Sequence, residues 1–122
     1  MPWTCAWRRI FHPLALGREL IGEGASGERA WQAFRDACPE LEALDAARVA
    51  PQLAPRPLLL MTGAEDPYVP PAATRRVFAA ALWAYAAAGQ AARLEAWVEP
   101  ETGHGFSAQM QQRALEWFLR WL

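Results

Sequence analysis

The sequence has no lysine: all twelve basic residues are arginine, they stand against thirteen acidic residues, and the formal net charge is -1. No basic block exists to neutralise a row of phosphates, which argues against nucleic-acid binding. Cysteine is scarce too. Cys5 and Cys38 are the only two and form no C-x-x-C, so no zinc site or redox pair can be assembled from them. Both thiols are expected to be free in a reducing cytoplasm. Long apolar runs are also missing. The longest uncharged stretch, Val77 to Ala92, is alanine-rich and falls short of the ~20 strongly apolar residues of a membrane-spanning helix, so no membrane partner is expected. Arg8 and Arg9 precede a short apolar piece, but His12, Pro13 and Gly17 interrupt it and no A-x-A-like cleavage site follows. Secretion is therefore not expected, and no metal or organic cofactor is indicated.

What is present is the composition of one packed domain, 53% hydrophobic and 20% charged over 122 residues. Residues 1–27 follow neither a period of 2 nor one of 3.6 and end in the turn-rich Gly22 to Gly27. From Glu28 to Cys38 the residues Ala30, Trp31, Phe34 and Cys38 recur at helical spacing, with Ser26 placed as N-cap. Pro39 ends that helix, and Leu41 to Val49 predicts a short second one whose apolar stripe includes Leu41 and Leu44. Prolines 51, 55 and 57 stiffen the connector that follows.

The clearest signals lie in residues 57–122. Leu58 to Thr62 is a continuous apolar run between Pro57 and Gly63, which suits a strand buried on both faces of a parallel sheet. Ala73 to Ala88 predicts a helix with Val77, Phe78, Ala81, Leu82 and Tyr85 on one face and Gly89 closing it. Arg93 to Val98 alternates as a second strand nearer a sheet edge. Ala108 to Leu122 predicts a last helix, capped by Ser107, with Met110, Ala114, Trp117, Phe118 and Trp121 on one stripe and Glu116 paired with Arg120. Trp83, Trp97, Trp117 and Trp121 are assigned to the core, Arg75 and Arg76 to a solvated helix face, and His12 to a structural role.

Strand, helix, strand, helix is a βαβ unit with a further helix, so the fold class is α/β. In such sheets the functional groups sit past the carboxyl ends of the strands. Gly63-Ala64-Glu65-Asp66-Pro67 follows the first strand and Glu101-Thr102-Gly103-His104-Gly105 the second. Asp66 and His104 thus leave neighbouring strands from one rim, where a carboxylate can fix the tautomer of an imidazole acting as general base. Gly63 would permit a tight turn, and Gly103 and Gly105 a close backbone approach around the histidine. By spacing alone, a strand-end aspartate also suits a turn and a lone histidine a structural place.

The segment from Pro57 to Pro70, an apolar strand followed by G-x-x-D-x-x-V-P, resembles the acid-bearing segment of α/β-hydrolases. Gly103-His104-Gly105-Phe106 resembles their histidine loop, and Met110 to Leu122 their closing helix. The likeness spans about Ala43 to Leu122 and is nearest to the dienelactone hydrolase and prolyl oligopeptidase-like branch. It implies that Asp66 is the triad acid and His104 the general base of a serine-type peptidase or carboxylesterase acting on esters or peptides. In that fold the nucleophile sits on a G-x-S-x-G elbow. No such motif occurs here. Ser26, in Gly24-Ala25-Ser26-Gly27-Glu28, has a glutamate where a small residue is needed, and Cys5 and Cys38 lack a strand-turn-helix setting.

The resemblance therefore implies a partial α/β-hydrolase fold, its carboxyl-terminal half, as a truncated gene product, a mispredicted start or one part of a split enzyme. The first strand would then have an unpaired edge, open to the missing half or to a second copy. The alternative expectation is a catalytically silent unit of small α/β architecture that serves interaction or structure.

Overall fold

The structure, a computed structural model, describes residues 27–122. The chain divides into two units, Met1–Leu44 and Asp45–Leu122. In the first, helix α1 (Gly27–Ala37) has Glu28 in its first turn and Arg35 in its last, each favourable to the helix dipole. Ala30, Phe34 and Cys38 lie four apart and are buried, while Trp31 is half exposed and tilts against Phe34. Pro39 stops the helix, and a 3-10 turn over Pro39–Leu44 follows, with Glu42 reaching back to Arg35. The predicted cap Ser26, with Cys5 and His12, lies outside the described residues.

The single helix expected over Leu41 to Val49 is broken instead. Asp45 is an N-cap whose Oδ1 accepts from the Ala47 N–H at 2.8 Å, and it starts a separate short helix, α2 (Ala46–Val49). A cap of this kind outcompetes helix continuation because it satisfies a donor that the new first turn leaves unpaired. Leu44 is exposed rather than part of an apolar stripe. Pro51 follows, and the chain tightens into a 3-10 turn over Ala50–Leu53.

The second unit continues with β1 (Leu58–Gly63), α3 (Pro71–Ala87), β2 (Leu94–Glu99) and α4 (Ala108–Trp121). The two strands pair in parallel, from Leu58 opposite Leu94 to Gly63 opposite Glu99. Strand pleating sorts the side chains onto two faces. Leu58 and Leu94 pack with Ala81, Tyr85, Val77 and Phe78 of α3. On the opposite face α4 covers Leu59, Glu95 and Trp97: the Arg113 guanidinium sits 3.2 Å from the Trp97 ring centroid and 3.7 Å from Glu95. Helix, sheet and helix form three layers. Buried Tyr85 anchors the first of these by donating its hydroxyl to the Arg56 carbonyl at 2.6 Å.

Both α3 and α4 end and begin as the sequence implies. Gly89 adopts φ +68°, a left-handed conformation that favours glycine, and Ser107 Oγ accepts from the Met110 N–H at 3.1 Å. Met110 and Trp117 are buried. Other expectations fail at the surface. Trp83 is 79% exposed, and Leu82 and Phe118 also face solvent, so none of the three serves the core. Glu116 accepts from Gln112 rather than pairing with Arg120. Leu58 to Met61 are half-buried, because β1 has a single strand partner among the described residues. No helix among these residues is long and apolar enough to cross a membrane.

Candidate functional site

The parallel register brings the ends of β1 and β2 side by side, and the loops leaving them are stitched together by their backbones. Ala64 N–H donates to the Glu99 carbonyl at 2.8 Å and Glu65 N–H to the Thr102 carbonyl at 2.9 Å. Gly63 makes this possible, since a Cβ there would fall 2.2 Å from the Thr102 oxygen and 2.3 Å from the Gly103 oxygen. At Gly103 and Gly105 a Cβ would meet nothing within 4 Å. The close approach expected at the histidine thus occurs at the other loop.

Asp66 is held by the turn it creates. Its Oδ1 accepts from the Tyr68 and Val69 N–H groups, each at 2.9 Å, and the Thr62 hydroxyl donates to the Val69 carbonyl at 2.9 Å. Oδ2 is left free, and it meets His104 Nδ1 at 3.0 Å. The backbone N–H of Val69, then the His104 ring and the Tyr68 N–H, hold the Asp66 carboxyl below its ordinary value of 3.8, while its burial works in the opposite direction. An ionised carboxylate has no proton to donate, so Nδ1 carries the hydrogen of this bond and neutral His104 keeps its lone pair on Nε2.

His104 sits on a loop closed by local bonds. Glu101 takes a left-handed φ of +50°, Thr102 Oγ1 donates to the Pro100 carbonyl, and Gly105 N–H donates to the Gly103 carbonyl. The imidazole is 60% exposed, and among the described residues Nε2 has no hydrogen-bond partner. The Tyr68 ring meets it edge-on, with centroids 5.2 Å apart. An open cavity of about 570 Å³ adjoins the pair, lined by Leu59, Met61, Val69, Phe106 and Met110.

The two predicted site residues are therefore brought together by the strand ends that carry them. Of the other candidates, Ser107 caps α4 through its Oγ, and Cys38 is buried in the first unit. Thr62 and Tyr68 were not expected at the site. Thr62, a hydroxyl ending an apolar strand, and the spacing of two and three residues from Asp66 to its backbone donors are signals that a reading for Asx turns would catch. No cluster of three histidine, cysteine or carboxylate side chains suited to a metal occurs among the described residues. Comparison with protein-family models, curated proteins and solved structures returned no match.

Proposed function

We propose that this chain supplies the acid and the general base of a serine-type α/β-hydrolase site that cleaves ester or amide bonds. The observation that carries the reading is the 3.0 Å bond between Asp66 Oδ2 and His104 Nδ1 across two parallel strand ends. In this scheme His104 Nε2 takes the proton of an attacking serine and later returns it to the leaving group, while Asp66 keeps the ring in register and stabilises the imidazolium. The serine and its oxyanion donors reside on a strand-turn-helix element other than those of residues 27–122. They are supplied by another polypeptide segment, and the site is complete when that segment docks.

The second reading is an interaction unit without chemistry. It is favoured by the absence of any G-x-S-x-G and by the apolar exposure of Leu115, Phe118 and Leu119 on α4.

Complementation with the nucleophile-bearing half of an α/β-hydrolase separates the two. The expected result is ester turnover that a fluorophosphonate blocks and that His104→Ala abolishes; turnover indifferent to that substitution sinks the first reading. Fluorophosphonate labelling of the chain alone, read by intact mass, should give no adduct. An adduct that disappears in an Asp66→Asn, His104→Ala variant would place the nucleophile within these 122 residues.

A further inference from the structure

We infer that in this chain by itself the Asp66–His104 pair is an acyl-transfer centre in which His104 Nε2 is the nucleophile, and that the adjoining cavity takes the apolar acyl chain of an activated ester or thioester. The inference shares the site of the proposed hydrolase function but requires no serine.

Three observations carry it. With Nδ1 committed to Asp66, the lone pair of His104 is confined to Nε2, which is unpartnered among the described residues on an imidazole that solvent reaches. Asp66 is held ionised by two backbone N–H groups, so a fixed negative charge faces the ring at the moment acylation makes it cationic. The cavity of about 570 Å³ beside the ring is walled by Leu59, Met61, Thr62, Val69, Phe106 and Met110, and among the described residues Asp66 is the only carboxylate lining it. Such a wall suits an aliphatic acyl chain and disfavours a charged one.

The chemistry balances without a co-reactant other than water. The Nε2 lone pair adds to the carbonyl carbon, the carbon–oxygen or carbon–sulfur bond breaks, and the phenolate or thiolate departs with the electron pair. The N-acylimidazolium keeps the hydrogen on Nδ1, from which it is donated to Asp66 Oδ2. Water then adds and releases one proton to solvent, the carbon–nitrogen bond breaks, the lone pair returns to Nε2, and the carboxylic acid product ionises with release of a second proton. In the tetrahedral intermediate the leaving group competes with neutral imidazole, so an electron-poor phenolate, whose basicity is close to imidazole's, departs readily, a thiolate departs more slowly, and alkyl esters and amides return to reactants. That limit separates this activity from the serine-dependent one.

The test is hydrolysis of p-nitrophenyl acetate, butyrate and hexanoate by the purified chain, with equimolar free imidazole as reference. His104→Ala, whose side chain is largely exposed, should keep the circular dichroism spectrum and lose the turnover. Relative to imidazole, the chain should gain about twofold to fourfold per methylene as the acyl chain enters the cavity, and Met61→Gln should flatten that gain. Fluorophosphonate treatment should change nothing, and rapid-quench mass analysis should find the acyl group on His104. Turnover that survives His104→Ala, or a chain-length order equal to that of imidazole, overturns the inference. Inhibition by fluorophosphonate overturns it too and instead supports a serine nucleophile. If the Nδ1–Asp66 hydrogen bond is present by imidazole nitrogen NMR but turnover is absent, the nucleophilic role alone fails; if the bond itself is absent, the hydrolase reading fails with it.

Discussion

A methyl group at position 63 would have to occupy space that two carbonyl oxygens already hold. In Gly63→Ala the new Cβ lies 2.2 Å from the Thr102 oxygen and 2.3 Å from the Gly103 oxygen, so the histidine loop must retreat by about 1 Å. Neither neighbour is the end of a flexible side chain; both are backbone, and they cannot turn aside. The retreat breaks the Ala64-to-Glu99 and Glu65-to-Thr102 hydrogen bonds, at about 1 kcal/mol each, and adds overpacking strain of about 2 kcal/mol. The loss of about 4 kcal/mol is a large part of the ~5–15 kcal/mol that a domain of this size holds. Urea unfolding followed by tryptophan fluorescence should show the midpoint falling accordingly. The Asp66–His104 bond, seen in the imidazole nitrogen spectrum, should be lost. Gly103→Ala and Gly105→Ala, where a Cβ meets nothing, should stay within about 0.5 kcal/mol of the parent. A stable Gly63→Ala protein with the bond intact would refute the reasoning.

Other perturbations act on single bonds. Because Asp66 is held below its ordinary value of 3.8, its stabilising contribution is full above that pH and is lost as pH falls through the lower folded value; acid titration of stability should be shallower there in Asp66→Asn. Burial pushes Tyr85 above its ordinary value of 10.0, so stability should decline as pH rises past 10, and Tyr85→Phe should remove that decline in an alkaline unfolding series. At neutral pH the same substitution deletes the bond to the Arg56 carbonyl and should cost about 1 kcal/mol by urea titration. Ser107→Ala removes the cap of α4 and should cost about 1 kcal/mol, with fraying of the first turn visible by hydrogen exchange at Met110.

The parts of this fold that can be read in the sequence are those that local rules decide. An uncharged run closed by Pro57 and Gly63 leaves β1 little choice, and Gly89 marks the end of α3 because few other residues tolerate its φ. Asp66 and His104 are legible together because a parallel pair places both strand ends on one rim. Where two local rules compete, the reading fails: helical periodicity over Leu41 to Val49 yields to the cap at Asp45. Where the pattern is degenerate it also fails. An alanine-rich helix such as α3 is apolar nearly all round, and only packing reveals that Trp83 faces outward. The requirement at Gly63 and the Tyr68 contact with His104 are tertiary, set by a loop that returns more than thirty residues later.

The clasp of Arg113 over Trp97 fastens the helix after the histidine loop to the strand before it. His104 therefore hangs on a short tether strung between two fixed posts, and the tether's freedom is already spent before any ligand arrives. Damage to a post should be felt at the tether: loosening the seat of α4, well away from the imidazole, would let His104 swing away from Asp66 without altering either residue.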